Sequence, residues 1–211
     1  MSQPVTVQAP PAAAAIFGER LSLAQSYAAS LSGDGITRGL LGPREAAVVW
    51  ERHLLNCAVV AELIPDGAAV LDIGSGAGLP GLPLAIARPD LTVTLLEPLE
   101  RRVRFLEETV GELGLADQVR VVRGRAEERP VSAASVVTAR AVAALPRLAD
   151  WSVPLVAPGG SVLAIRGASA AQEVAESGRV LSRAKLVVEI LTCGGSLLDV
   201  PTTVVRLRRA A

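Results

Sequence analysis

The sequence predicts an α/β protein: a seven-stranded, mostly parallel sheet wound on both faces by helices, with an N-terminal helical extension. Three observations carry that reading. Short β-branched runs alternate with amphipathic stretches from residue 69 to residue 182, the pattern of successive βα units. The first run, Ala69 to Ile73, ends in a glycine-rich turn that feeds a helix. The last two runs, 185–192 and 202–207, have no helix between them and read as a closing antiparallel pair.

Taken in order, residues 1–11 carry three prolines and little charge, and are expected to fray. From Ala12 to Leu31 apolar residues recur at helical spacing, and Gly33-Asp34-Gly35 is expected to break the helix. Pro43 opens a second helix that runs to about Ile64, and Pro65-Asp66-Gly67 is a turn. Residues 12–65 are therefore read as a helical extension packed on the core, and 66–211 as the α/β domain.

Within that domain, strands are expected at Ala69–Ile73, Leu91–Glu97, Val119–Val122, Ser135–Ala139 and Ser161–Arg166. Helices are expected through Ala87, over Leu99–Leu113, over Ala144–Val156 and over about 169–182. Pro158-Gly159-Gly160 reads as a turn. Right-handed crossovers then put a ligand at the C-terminal edge of the sheet, near the point where strand order reverses.

Composition narrows the function. Of 211 residues half are apolar, enough for a full core. Formal net charge is zero, which argues against gripping long nucleic acid by charge alone. Five aromatic residues give no stacking platform for bases. The cations are 20 arginines and Lys185, and arginines cluster at 101–104, 120–125 and 206–209, a candidate local positive face. Cys57 and Cys193 lie far apart, so neither a disulfide framework nor a zinc site is suggested. His53 is the single histidine, which excludes a multi-histidine metal centre and disfavours a Ser-His-Asp triad; no metal is expected. No signal peptide or membrane helix is read from the N-terminus, and a cytoplasmic protein is expected.

The chemistry concentrates at residues 69–83. Two ligands compete for this turn. Gly76, Gly78 and Gly81 satisfy G-x-G-x-x-G, a dinucleotide fingerprint. Asp72, Gly74, Gly76 and Gly78 satisfy D-x-G-x-G-x-G, which resembles motif I of S-adenosylmethionine-dependent methyltransferases. An acid beside a pyrophosphate is repelled, whereas it suits a ligand carrying an ammonium and a sulfonium. That charge relation favours the methyl donor. A glycine turn with no ligand is the bland alternative.

Other candidates sit at later strand ends. Glu97 ends the second strand, 19 residues past Gly78, where a carboxylate accepts hydrogen bonds from both ribose hydroxyls of an adenosine-containing ligand. Gly124-Arg125-Ala126-Glu127-Glu128 follows the third strand, where an adenine would lie; a helix N-terminus with favourable acids is the rival reading. Arg140 follows the fourth strand, where a planar fork can bind a phosphate or a guanine edge, or pair with a nearby acid.

Six segments occur in one order: Arg52-His53-Leu54-Leu55-Asn56, Asp72 through Pro83, Thr94 through Glu97, Arg101 through Leu106, Gly124 through Glu128, and Thr138 through Ala141. Together they resemble the glucose-inhibited division protein B family, over roughly Pro43 to Gly167. The resemblance implies a class I methyltransferase (Rossmann-like) fold for residues 66–211. It implies S-adenosyl-L-methionine as cofactor, and methylation of N7 of a guanine in bacterial 16S ribosomal RNA, within the small subunit or its precursor. By that resemblance Gly74, Leu79, Ala126, Glu127 and Arg140 fall on cofactor-binding positions, beside Asp72, Gly76 and Glu97 from the motif. Departures are Ile36-Thr37-Arg38-Gly39 where the family carries Asn-Leu-Thr, Asn56 for an Asp, and Arg166-Gly167 for Lys-Gly. Arg52, His53, Arg125 and Arg166 are expected RNA contacts, with His53 as a satisfied interior histidine the rival.

Guanine N7 carries an in-plane lone pair and no proton, so direct in-line displacement needs no general base. No catalytic residue is assigned, and Arg140 is the positioning candidate. Exocyclic amine methylation usually comes with Asn/Asp-Pro-Pro-aromatic, and here that place holds Ala139-Arg140-Ala141. Carbon-5 methylation needs a cysteine at the same edge, and Cys193 lies in the late hairpin. Alternatives are a methyltransferase of small molecules or proteins, and a non-catalytic nucleotide-binding Rossmann module. A monomer is expected.

Overall fold

The computed structural model describes residues 8–210. The expectation of a frayed tail falls mostly on residues 1–7, which lie outside the described residues; Pro11 already opens a helix.

Seven strands form one sheet: β1 (Ala69–Ile73), β2 (Thr92–Glu97), β3 (Val119–Arg123), β4 (Ala134–Arg140), β5 (Val156–Arg166), β6 (Leu186–Cys193) and β7 (Thr202–Arg209). Their order is β3-β2-β1-β4-β5-β7-β6. The first five pair in parallel, and β7 runs antiparallel between β5 and β6. Strand order reverses between β1 and β4, so the C-terminal ends of these two strands flank a crevice.

Period-2 alternation along the strands divides the core in two. Val70, Val93, Leu95 and Val136 pack on one face of the sheet, with α4 (Gly81–Ala87) and α5 (Glu100–Glu112). Leu71, Ile73, Leu96 and Val137 pack on the other, with α6 (Leu145–Ser152) and α7 (Ala170–Arg183).

The N-terminal helices share the first of these cores. α1 (Pro11–Phe17) and α2 (Leu21–Ser30) bury Phe17, Tyr27 and Ala24 against it. Residues 43–63 are helical throughout with changing pitch: 3-10 over Pro43–Val48, π over Val49–Leu55, α3 over Asn56–Ala58, and 3-10 again over Val59–Leu63. This segment also grips the far end of the chain. Thr202 Oγ1 donates to the Asn56 region (3.1 Å), and Gly194 N donates to the Glu62 carboxylate (3.1 Å).

Two local expectations are corrected. Gly33-Asp34-Gly35 does not break the chain; it forms a π turn, Leu31–Gly35, and the helix stops at Gly39 with φ +67°. Arg38, pairing with Asp34 (3.0 Å) and with Glu108 of α5, ties this turn to the core. Tertiary anchoring outweighs the low helix propensity of the glycines. Pro158-Gly159-Gly160 is not a turn between helix and strand but a bulge inside β5. Val156 pairs with Ala134 and Ser161 with Val136, so residues 157–160 stand opposite Ser135. Gly159 takes φ +78°. α6 itself ends at Ser152, and a 3-10 turn over Val153–Leu155 carries the helical stretch almost to the expected Val156.

The extension reaches the glycine loop through one buried contact. Tyr27 Oη donates to the Ala77 carbonyl at 2.8 Å. Burial holds the Tyr27 phenol well above its usual range, so it stays a donor. Tyr27→Phe leaves the Ala77 carbonyl without that partner. It is expected to lower unfolding stability by about 1–3 kcal/mol, measured by urea denaturation.

Candidate functional site

The glycine turn begins where β1 ends. Gly74 N and Ser75 N donate to the Leu96 carbonyl (2.8 and 3.2 Å), which draws the turn toward the end of β2. Gly78 lies at φ +102°, and a Cβ there would press on Leu82 and lie 2.9 Å from Tyr27 Oη. Only glycine fits that position. Gly74 approaches Val142 so closely that a Cβ would sit 3.0 Å from its methyl. The turn is thus pinned between β2, α4 and the segment after β4.

Two carboxylates at neighbouring strand ends take opposite roles. Asp72 is fully buried beneath the turn. Its Oδ2 accepts from Gly81 N at the start of α4 (3.2 Å), and its Oδ1 accepts from Thr138 Oγ1 of β4 (3.1 Å). Asp72 does not face the cleft. Strand alternation turns its side chain toward α4, where it braces the loop, and it is not among the residues that line the cleft. Glu97 is also buried, but it lines the cleft. Its Oε2 accepts from Gly76 N (2.9 Å) and its Oε1 from Leu99 N (3.0 Å), with Arg102 Nη1 at 3.8 Å. Each carboxylate oxygen has two lone pairs, so each retains capacity for one further donor.

The cleft itself has a volume of about 540 Å³ at the C-terminal sheet edge. Gly74, Gly76, Leu79 and Glu97 line it. Arg125 and Arg140 also line it; Ala126 and Glu127 lie beside Arg125 without lining it. Ala126 is buried, and the Glu127 carboxylate lies 3.9 Å from Arg125 Nη1 at the surface. Leu40, Leu41, Pro98, Leu99 and Val142 line the cleft as well, without having been expected there, and Arg102 comes from the arginine cluster at 101–104. Leu40 and Leu41 come from the turn after α2, more than thirty residues before the motif, and no local pattern marks them.

Arg140 is the last residue of β4 rather than the first beyond it. Its Nη2 lies 2.7 Å from His53 Nδ1, and its Nη1 lies 3.5 Å from Cys57 Sγ. His53 Nε2 lies 2.7 Å from Glu45 Oε2. Burial, then the Arg140 charge, lower the His53 pKa, so the ring is neutral. Burial pushes the Cys57 thiol up to about 11, which removes it as a nucleophile although it lies nearer this edge than Cys193.

Two expected RNA contacts are differently placed. Arg166 is nearly buried: its Nη2 donates to the Ala143 carbonyl (2.8 Å), and its Nε lies 3.2 Å from Glu173 Oε2. It clamps the segment after β4, where Ala141 takes φ +53°, an unfavourable angle for a residue with a Cβ. His53 is 4% exposed, with both ring nitrogens engaged. Arg52 and Arg125 are exposed.

A family model described as GidB, rRNA small subunit methyltransferase G, matches residues 20–197. The chain belongs to this family. Among its relatives, ribosomal RNA small subunit methyltransferase G of Salinispora tropica is 56% identical over 207 residues, covering 94% of this chain and 85% of its own. The enzyme of the same name from Mycolicibacterium paratuberculosis is also 56% identical over 207 residues, covering 96% and 83%. Among solved structures, mitomycin 7-O-methyltransferase has a TM-score of 0.61 at 20% identity, covering 95% of this chain and 69% of its own. An O-methyltransferase from neocarzinostatin biosynthesis, solved with S-adenosyl-L-homocysteine, has a TM-score of 0.61 at 19% identity, covering 90% and 60%. At these identities the structures show the fold alone, that of class I methyltransferases.

Burial raises the Asp72 pKa from its ordinary value to about 7, against the pull of its hydrogen bonds. The folded state therefore binds this proton more tightly than the unfolded chain, and the Asp72 contribution falls as pH rises from about 4 to about 7. Asp72→Asn keeps an acceptor for Gly81 N and a donor for Thr138 Oγ1, but does not titrate. The stability of Asp72→Asn relative to the native chain is expected to climb across that window by a few kcal/mol, on the order of 1.4 per pH unit, in denaturation curves at several pH values.

Proposed function

We propose that this chain transfers a methyl group from S-adenosyl-L-methionine to N7 of a guanine in 16S ribosomal RNA. We propose further that it acts in the cytoplasm, as a monomer, on the small subunit or its precursor. Membership of an rRNA methyltransferase family supports the RNA substrate. The carrying observation for the donor is the cleft between the β1 turn and Glu97, where a buried carboxylate keeps one free acceptor site on each oxygen.

The residues present fit such a donor. Glu97 supplies acceptors for vicinal hydroxyls at the end of β2. Leu79, Pro98 and Leu99 offer apolar surface for a base beside it. Gly74 and Gly76 leave backbone exposed to the cleft at the turn, between the small side chains of Ser75 and Ala77. Bound there, S-adenosyl-L-methionine supplies an electrophilic methyl group.

What the chain must then do is hold the acceptor base and exclude water. N7 loses no proton on methylation, so no proton acceptor is required. The titratable side chains of the cleft agree with that. Glu97 is committed to two backbone N–H groups, His53 to Glu45 and Arg140, and the rest are arginines. Arg102, Arg125 and Arg140 make the cleft cationic and suit a phosphodiester-linked nucleotide. No helix among the described residues is long and apolar enough to cross a membrane.

Glu97→Gln sets an amide N–H against Gly76 N–H or Leu99 N–H and removes the charge. Affinity for S-adenosyl-L-methionine is expected to weaken by at least about tenfold in calorimetric titration, with NADH not binding either form. Mapping N7-methylguanosine in 16S ribosomal RNA from cells with and without this protein tests the acceptor. One site should disappear without it and return when purified protein and donor are added to subunits. Methyl label on another atom, or on a small metabolite instead, overturns the assignment.

A further inference from the structure

Arg140 reaches the cleft from the end of β4, but it is held from behind by the N-terminal extension. An arginine side chain only donates hydrogen bonds, so His53 Nδ1, 2.7 Å from Arg140 Nη2, must carry a lone pair. The Glu45 carboxylate accepts, so His53 Nε2, 2.7 Å from its Oε2, must carry the proton. The two contacts select one neutral tautomer. A doubly protonated ring would aim an N–H at the guanidinium. With 4% of His53 exposed, water competes little for either contact. Cys57 Sγ takes Nη1 from the same side. His53 lies in the π segment Val49–Leu55, a backbone geometry that often occurs at functional positions.

We propose that His53 is a positioning residue for methyl transfer: its Nε2–H tautomer, fixed by Glu45, presents Nδ1 as the acceptor that holds the Arg140 guanidinium at the cleft. The proposal rests on the reading of this cleft as the transfer site. It replaces direct RNA contact by His53, since both ring nitrogens are already used. It also gives the extension a part in the reaction, because Glu45 and His53 both precede the sheet.

His53 is the chain's single histidine, so its ring nitrogens can be observed without overlap in the full, tag-free protein labelled with 15N-histidine. Two-bond 15N–1H correlation spectra should show Nε2 protonated and Nδ1 pyridine-like. Arg140→Ala should mix the tautomers. Protonated Nδ1 in the native chain overturns the relay.

Three variants then separate positioning from packing and from RNA contact. His53→Asn keeps an oxygen near the Nδ1 position, whereas His53→Gln places its amide near Nε2. On small ribosomal subunits, kcat is expected to stay within about threefold of native for His53→Asn and to fall roughly tenfold or more for His53→Gln and His53→Ala, with KM unchanged. Equal loss in all three, or loss confined to KM, overturns the proposal. Should His53→Ala fail to fold, the Asn and Gln variants carry the comparison. A chain that shows the tautomer yet transfers no methyl to 16S ribosomal RNA overturns the assignment of the cleft, and with it the role of His53. A chain that transfers normally with Nδ1 protonated overturns the relay alone.

Discussion

A fully buried carboxylate organises this site. Asp72 joins three elements at the strand-order reversal: it belongs to β1, takes the Thr138 hydroxyl from β4, and takes the first N–H of α4. Such a group is expensive to bury, as its raised pKa records. What it secures is the start of α4 against the end of β1, and the glycine turn spans the gap between them. Removing the brace would free the loop without touching any cleft surface.

Glu97 shows how environment divides labour between like groups. Both acids lie near the ends of adjacent parallel strands, and both are buried. Asp72 spends its oxygens on the scaffold. Glu97 spends one lone pair per oxygen on the backbone and keeps the others toward the cleft. Arg140 follows the same rule with donors in place of acceptors, held on one side by His53 and Cys57. Fixed groups with unused valence are what a positioning catalyst requires.

Much of this was legible in the chain because it is local. Hydrophobic runs marked the seven strands, spacing from the glycines marked Glu97, and the end of the fourth strand marked Arg140. The position of Asp72 was legible and its direction was not. Its motif names its position, whereas its direction follows from alternation with Val70 on the face that packs α4. Glycines misled twice. Gly33 and Gly35 sit inside a helical turn that Arg38 ties to α5, and Gly159 makes a bulge rather than a chain reversal. Leu40 and Leu41 were invisible for a different reason. They reach the cleft only through tertiary packing, and nothing in their neighbours records it.

The clasp between the first and last parts of the chain bears on how the protein is made. Asn56 and Glu62 meet Thr202 and Gly194, and β7 enters the sheet between β5 and β6. Contacts so distant along the polypeptide form late. The segment carrying His53 therefore lacks its final support until partners more than a hundred residues away have docked. A folding chain is expected to acquire a competent cleft only in its last steps, after β7 has entered the sheet.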